Sequence, residues 1–170
     1  MKRTICFVLA LILTVCVIPI TVSAEKVYGC AANDEMKIAL TFDDGPHPRY
    51  TERILDILEK YGIKATFFMV GENVKNYPET AKRVAFEGHE IGNHTYTHPH
   101  INSMKAEDLC GEIVKCEQAI REVTGVASVN LFRPPEGVID SAVKAISSEK
   151  GYSLILWRID TRDWAGTSVE

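Results

Sequence analysis

The residues best suited to chemistry in this chain begin with two adjacent acids, Asp43 and Asp44. They follow residues 38–42, an apolar run whose length and composition predict a strand. Gly45 and Pro46 then break the chain into a turn. Ionised carboxylates are rarely buried without a cation, and the carboxyl ends of parallel strands commonly carry active sites. The alternative interpretation is a solvated turn in which aspartate serves as a turn former.

Histidines form the second group of residues that could do chemistry. Four of the chain's five histidines fall in the thirteen residues GHEIGNHTYTHPH, which end at His100. His94 and His98 are spaced i and i+4, which predicts one helical turn that directs both imidazoles the same way. Two imidazoles and one carboxylate on a divalent metal leave positions open for water and substrate. A zinc-protease motif starting at His89 is rejected, because His94 lies five residues on and would not share its face. His47, His89 and His100 are interpreted as surface residues or supports around the ligand pair.

Two further polar stretches each follow a predicted strand. FRPPEG places Arg133 in a turn that two prolines make rigid, and arginine holds carboxylates in a fixed geometry. DTRDW places Asp163 and Trp164 after the last predicted strand. The alternatives are a rigid surface turn with a solvated Arg133, and a helix cap beside a packed Trp164.

The periodicity of the chain predicts a scaffold that would bring these strand ends together. Apolar runs predict strands at residues 38–42, 65–70, 90–92, 130–132 and 152–159. Helical spacing predicts helices at residues 51–61, at 73–86 with a break at Pro78, at 106–123, and from an N-cap at Asp140 through residue 149. Strands alternate with helices without hairpin signals, which predicts an α/β fold with a parallel sheet and crossover helices.

Residues 1–24 have the pattern of a secretory signal peptide, with basic residues before an apolar run and small residues at its end. Cleavage is expected after Ala24, which would give a secreted or cell-envelope protein. The alternatives are an uncleaved membrane anchor, because the run approaches the length of a span, and a lipoprotein modified at Cys16. Residues 25–35 are expected to form a lead-in, and residues 36–170 a single domain.

Charge and cysteine content narrow the classes of partner. The whole chain carries a formal charge of −4 and its first 24 residues carry two basic residues and no acid, so the remainder carries −6. An acidic domain disfavours nucleic acid, whose binding depends on neutralising phosphates, but is compatible with a neutral glycan.

Cys30, Cys110 and Cys116 can form at most one disulfide, and none has zinc-ligand spacing. Cys110 and Cys116 are expected on different faces of one helix.

The four motifs together resemble one protein family. TFDDGP, HTYTH, RPPEG and DTRDW occur in the order, and at the predicted strand ends, seen in polysaccharide deacetylases with the NodB homology domain, carbohydrate esterase family 4. The resemblance covers about residues 35–170. It implies a distorted (β/α) barrel, a divalent metal, and N-deacetylase or O-deacetylase activity on glycans.

The resemblance also assigns roles to the charged residues. Asp44, His94 and His98 would hold the metal, with zinc expected and cobalt or another divalent ion as the alternative. Asp43 would be the general base that takes a proton from the attacking water. Arg133 would orient Asp43 and stabilise its ionised form.

The remaining assignments concern the substrate. Thr95, Pro135, Glu136 and Trp164 are the implied substrate-side residues. The backbone N–H of Glu136 would stabilise the oxyanion, Trp164 would line the acetyl pocket, and Thr95 would shape the metal loop. Asp163 would support a catalytic histidine. The implied reaction removes an N-acetyl group from a β-linked amino-sugar polymer, with peptidoglycan favoured over chitin oligomers because an exported chain works near its own envelope.

Two departures from the family pattern leave alternatives open. Glu136 stands where an aromatic residue is common, which removes a sugar-stacking surface but keeps the backbone N–H. The Leu-x-His motif that supplies the family's general acid is absent, and general acid catalysis is typically worth about 10²- to 10⁴-fold. The chain is therefore expected to be truncated, with a barrel incomplete at the C-terminus. The alternatives are a glycan-binding remnant with impaired turnover and an O-acetyl esterase acting on xylan.

Overall fold

The computed structural model describes residues 27–29 and 37–166, in which strands alternate with helices. The strands are β1 (Val27–Tyr28), β2 (Thr41–Gly45), β3 (Thr66–Met69), β4 (Glu90–Asn93), β5 (Leu131–Phe132) and β6 (Ser153–Ile155). The α-helices are α1 (Tyr50–Tyr61), α2 (Gly71–Asn76), α3 (Pro78–Phe86), α4 (Ala106–Thr124) and α5 (Ser141–Lys150). Short 3-10 helices cover Ile101–Ser103, Pro135–Gly137 and Asp163–Ala165. The predicted signal peptide and Cys30 lie outside the described residues.

All six strands lie in one parallel sheet, in the order β1–β6–β5–β4–β3–β2, so the predicted parallel α/β fold is confirmed. Arg133, directly after β5, donates to the Thr41 hydroxyl in β2 at 2.9 Å and to the Ile155 carbonyl in β6 at 3.1 Å. In a flat sheet, β2 would lie three strand spacings from β5, about 14 Å away. The sheet must therefore curve around the guanidinium as the wall of a barrel does. Among the described residues it stays open, because β1 and β2 are its two ends.

The helix ends follow local sequence signals. Gly62 ends α1 with a left-handed φ of 64°, as predicted for a glycine after the last turn. The Asp140 side chain accepts a hydrogen bond from the Val143 N–H at 2.8 Å, which confirms the predicted N-cap of α5. The predicted helix over residues 73–86 is two helices, and α3 begins at Pro78, where the break was expected. None of the helices within the described ranges is both long and apolar enough to span a bilayer.

Helix α4 is held against the sheet by the apolar stripe that its spacing predicts. Leu109, Ile113, Cys116 and Ile120 are buried, and Val123 is partly buried. Burying one aliphatic side chain of this size is worth about 1.5–3 kcal/mol, so these residues fix the position of α4 relative to the sheet. This position matters for the site, because α4 lies behind the loop that follows β4.

The two cysteines of α4 are free thiols on different faces of the helix. The Cys116 thiol donates to the Met69 carbonyl at 3.3 Å, and burial raises the pKa of this thiol to about 12. A thiol that stays protonated is a poor nucleophile and a poor metal ligand. Cys116 therefore serves packing, and Cys110 is partly exposed on another face, as the six-residue spacing predicts.

The last strand is shorter than predicted. The sequence predicts a strand over residues 152–159, but β6 ends at Ile155. The next N–H, that of Leu156, donates to the Tyr28 carbonyl at 2.7 Å, and the Leu156 carbonyl accepts from Arg133 at 3.1 Å. The arginine takes the backbone acceptor that a longer ladder would use, and the chain leaves the sheet.

His89 is buried at the start of β4, at the end of the sheet opposite the strand tips, so its interpretation as a surface residue or ligand support is wrong. Its Nδ1 accepts the Ala65 N–H at 3.2 Å, and its ring packs in a T-shaped arrangement with the Phe67 ring, with the centroids 5.4 Å apart. Its Nε2 lies 3.6 Å from a Glu87 carboxylate oxygen. Burial is the main cause that lowers the pKa of His89, and the nearby Lys64 charge acts in the same direction. The folded state therefore favours the neutral imidazole.

We expect this histidine to make stability depend on pH. Below about pH 6.5 the unfolded chain protonates His89 while the folded chain does not, so the free energy of unfolding should fall with decreasing pH. The slope is at most about 1.4 kcal/mol per pH unit, and the loss levels off below the folded-state pKa. Urea unfolding between pH 7.5 and 5 measures how the free energy of unfolding depends on pH.

His89→Asn retains an acceptor near the position of Nδ1 and removes the titrating group, so the slope should flatten in this variant. His47→Asn is the matched control, because exposed His47 likewise uses Nδ1 to accept backbone N–H groups, from Arg49 and Tyr50. Identical slopes for the wild type and His89→Asn would contradict the expectation.

Candidate metal centre and catalytic site

The two adjacent acids lie inside β2, although the sequence predicts that they follow the strand. Between Phe42 and Gly45 the pairing with β3 shifts by one residue, which is a β-bulge. Asp44, inside the bulge, has a left-handed φ of 63°. The bulge orients the two neighbouring carboxylates towards different partners: Asp43 contacts Arg133, and Asp44 contacts the two histidines.

Asp44, His94 and His98 come together as predicted. One ligand atom from each lies within 4.8 Å of the other two. The Asp44 Oδ1 atom is 3.4 Å from His94 Nε2 and 3.3 Å from His98 Nε2. His94 is buried, whereas Asp44 and His98 are exposed, so the group is open to solvent on one side.

The donor set fits a divalent cation. His94 Nδ1 lies 2.6 Å from the Arg133 backbone oxygen, so Nδ1–H donates there and the Nε2 lone pair faces the Asp44 carboxylate. Two acceptors facing each other need a cation or a proton between them. Four tetrahedral ligands at about 2.0–2.1 Å from one ion are separated by roughly 3.3–3.4 Å. Both oxygen–nitrogen distances of the Asp44 carboxylate match this separation.

The electrostatics of the group favour the form of Asp44 that binds metal. When a proton instead of a metal lies between them, the hydrogen bond from His94 Nε2–H contributes most to lowering the pKa of Asp44, and the positive charges of protonated His94 and His98 add to it. Partial burial opposes the effect and does not overcome it. The carboxylate is therefore ionised at neutral pH, which metal ligation requires.

The helical turn predicted for residues 94–98 is wrong. These residues form a loop at the end of β4, in which Thr95 and His98 have left-handed φ values of 69° and 55°. The two left-handed residues turn the chain so that the imidazole centroids lie 5.1 Å apart. Thr95 is buried; its hydroxyl donates to the His94 carbonyl, and its N–H donates to the Asn93 side chain at 2.9 Å. Thr95 is thus held inside the loop by bonds to its two preceding neighbours, Asn93 and His94.

Asp43 and Arg133 form the second half of the site. Arg133 Nη1 lies 2.6 Å from Asp43 Oδ1, and the arginine is only 2% exposed. The guanidinium also donates to the carbonyls of Ile155 and Leu156 and lies 4.1 Å from the centre of the Phe68 ring. Five fixed N–H donors match this set of acceptors, which holds the arginine, and with it the Asp43 carboxylate, in one orientation.

The substrate-side residues differ in what they present to solvent. Pro135 is buried, whereas Glu136 is exposed, has a left-handed φ of 59° and places its carboxylate 2.7 Å from His100 Nδ1. Asp163 and Trp164 lie in an exposed 3-10 helix, and Trp164 is 76% exposed, so the packed-tryptophan alternative is wrong. Among the described residues, no hydrogen bond or ion pair links Asp163 or Trp164 to the three ligands. The roles assigned to Thr95, Pro135, Glu136, Asp163 and Trp164 stay predictions.

Two residues that support the site belong to none of the four motif assignments. Asn93 is fully buried; its amide donates to the Ile113 carbonyl at 2.8 Å, and its oxygen accepts the Thr95 N–H. A polar amide at the end of an apolar strand, directly before His94, was the signal available in the sequence. Trp157 lies 5.6 Å from the Arg133 guanidinium. No comparable signal pointed to Trp157, because it lies in a run predicted as ordinary strand.

Comparison with known proteins identifies the family of this chain. Residues 31–155 match the family described as polysaccharide deacetylase. A peptidoglycan-N-acetylglucosamine deacetylase of Bacillus cereus is 44% identical over 140 residues, which cover 81% of this chain and 65% of that protein. A chitooligosaccharide deacetylase of Sinorhizobium fredii is 35% identical over 133 residues, which cover 78% of this chain and 62% of that protein.

A solved structure gives the same result for the fold. The crystal structure of a peptidoglycan N-acetylglucosamine deacetylase in complex with a naphthalenyl-N-oxidanyl-benzamide superposes with a TM-score of 0.81 and 37% identity, covering 85% of this chain and 67% of that one. The chain thus spans less than two thirds of the length of both relatives named above. The family match covers residues 31–155, well over half of the chain. The predicted resemblance is confirmed: this chain belongs to the polysaccharide deacetylase family.

Proposed function

We propose that the chain carries a metal-dependent site that hydrolyses the N-acetyl group of an amino sugar within a glycan. One observation carries the proposal: two adjacent carboxylates have separate partners, Asp44 with two imidazoles and Asp43 with a buried arginine. This arrangement provides a cation site beside a carboxylate that is free to act as a base.

Peptidoglycan is the favoured substrate and chitin-like oligomers are the next. One relative is named a peptidoglycan-N-acetylglucosamine deacetylase and another a chitooligosaccharide deacetylase, which supports this choice. The proposed location, secreted or in the cell envelope, rests on the signal pattern of residues 1–24. It would place the chain beside peptidoglycan, and would involve a membrane only through an uncleaved signal segment.

Zinc is the proposed ion, held by Asp44, His94 and His98, because a carboxylate and two imidazoles are typical zinc ligands and the ligand separations fit four-coordinate geometry. When bound, the ion would polarise the acetyl carbonyl and make water acidic enough to attack near neutral pH. The exposed side of the group leaves room for water and substrate.

The side chains of the site would then perform the proton transfer. Asp43 accepts a proton from the attacking water, whose oxygen adds to the acetyl carbon, and Arg133 keeps the Asp43 carboxylate oriented. The N–H of Glu136 would donate to the carbonyl oxygen as it gains charge, as the family resemblance implies. The carbon–nitrogen bond then breaks, the amine nitrogen takes up the proton that Asp43 accepted, and acetate leaves.

We expect metal removal to stop the reaction. Protein treated with a chelator should release no acetate from N-acetylchitooligosaccharides or from peptidoglycan, and one equivalent of zinc should restore release. An enzyme-coupled assay measures acetate release, and calorimetry measures the binding of the oligomer.

Two outcomes would contradict the proposal. Oligomer binding by zinc-loaded protein without any acetate release would favour the glycan-binding alternative. Acetate release from acetylated xylan but from neither amino-sugar polymer would favour the esterase.

A further inference from the structure

The loop that carries both histidines is held from behind by a residue outside every sequence motif. Glu112, a partly buried residue of α4, lies next to the loop. One of its carboxylate oxygens, Oε2, accepts the N–H of Tyr96 at 3.0 Å and the N–H of Thr97 at 2.7 Å. These two peptide groups lie in the chain between His94 and His98.

The loop needs such a partner because it directly follows a strand and has no preceding helical turn to accept its N–H groups. Residues 90–93 form β4, and Thr95 and His98 in the loop have left-handed φ values. Successive N–H groups in such a turn converge on one point and suit an anionic acceptor. A bond between a carboxylate and a backbone N–H is also stronger than a neutral one. Glu112 therefore fixes the orientation of the two peptides between the ligands.

Helix α2 holds the other side of the same peptides. The carbonyls of Thr95 and Tyr96 accept the N–H groups of Gly71 at 3.0 Å and Glu72 at 2.9 Å. The Tyr96 ring packs where Gly71 has no side chain, because a Cβ there would lie 2.4 Å from a ring carbon. Lys115, one turn after Glu112 on α4, places its ammonium 3.7 Å from the centre of this ring. With α2 fixing the carbonyls, the N–H groups depend on Glu112.

We infer that Glu112 is a positioning residue for the metal ligands: it sets the backbone of residues 96–97 so that the His98 imidazole meets Asp44 and His94. The inference rests on the proposed function through the ligand set. Glu112 contacts the loop backbone and none of the three ligand atoms, so it acts through the loop and not on the reacting atoms. Contacts that orient metal ligands typically change metal affinity by about 10- to 100-fold when they are removed.

The test compares zinc affinities by competition with a chromogenic chelator. Glu112→Ala removes the acceptor and should bind zinc about 10- to 100-fold more weakly than the wild type. Glu112→Gln keeps a side-chain oxygen that can accept both N–H groups, so its affinity should stay within about threefold of the wild type. If the alanine variant does not fold, Glu112→Asp, whose carboxylate is one methylene short, serves the same comparison.

A matched control separates positioning from general damage to α4. Glu122→Ala removes a carboxylate from the same helix, ten residues or about 15 Å further along α4. Glu122 lies 2.5 Å from Lys75 of α2 and is 65% exposed. The zinc affinity of this variant should equal that of the wild type. The visible absorption of the cobalt-loaded protein, which reports coordination geometry, should change in Glu112→Ala and not in Glu122→Ala.

Three outcomes would overturn the inference alone, in a wild type that binds zinc. They are an unaffected affinity in Glu112→Ala, an equal loss in Glu122→Ala, and a loss in Glu112→Gln as large as in the alanine variant. Failure of the wild type to bind zinc would overturn the proposed metal site, and the role of Glu112 with it.

Discussion

Asp43→Asn should keep its zinc and lose acetate release by about 10²- to 10⁴-fold in kcat, the range expected when a general base is removed. Asparagine has the same shape as aspartate, and its side-chain oxygen can still accept from Arg133, which now bonds Asp43 at 2.6 Å. Its amide cannot take a proton from water. The loss should therefore fall on the chemical step. Acetate release measures the rate, and elemental analysis measures the zinc.

The neighbouring acid provides the matched comparison. Asp44→Ala removes a ligand atom that lies 3.3–3.4 Å from two imidazole nitrogens, and it should lose bound zinc together with activity. His98→Ala should do the same. Unchanged zinc content in these two variants would remove Asp44 and His98 as ligands. Normal acetate release by Asp43→Asn would remove Asp43 as the base, so each acid is tested by a different readout.

The sequence predicts the composition of the site better than its local geometry. Asp44, His94 and His98 come together as expected, because the alternation of strands and helices places their strand ends at one edge of a parallel sheet. The β-bulge between Phe42 and Gly45 could not be predicted. An extra residue in a strand is seen only when the partner strand is known, and the bulge decides which acid meets the histidines.

The prediction of a helical turn at residues 94–98 is wrong for a related reason. Spacing of four residues between His94 and His98 is the same for a helical turn and for a loop with two left-handed residues. Long-range contacts settle the choice: Glu112 of α4, sixteen residues after Tyr96, accepts the Tyr96 N–H and holds the loop. The burial of His89 could not be predicted for the same reason, because the ring that packs against it, Phe67, belongs to another strand. Periodicity reports which face is apolar, and not which distant side chain covers a polar group.

Arg133→Met should lower the free energy of unfolding by about 3 kcal/mol, near the low end of the range for breaking a buried pair because Asp43 keeps some contact with water. Methionine can fill the apolar part of the space beside Phe68. It cannot donate, so the carbonyls of Ile155 and Leu156 and the Asp43 carboxylate all lose their donor. Urea unfolding of metal-free protein at pH 7 measures the loss without any contribution from zinc.

Two comparisons decide whether the guanidinium stabilises the curved sheet or only its charge matters. Arg133→Lys keeps the charge but lacks the fork of donors, so it should recover little of the stability. Arg121→Met is the surface control, since Arg121 is 53% exposed and pairs only with Glu117, at 3.6 Å, among the described ion pairs, and an exposed pair contributes about 0–1 kcal/mol. A loss in Arg133→Met no larger than in Arg121→Met would contradict the expectation. A larger loss means that the residue orienting the proposed base also joins β2, β5 and β6, so the geometry of Asp43 and the curvature of the sheet depend on the same side chain.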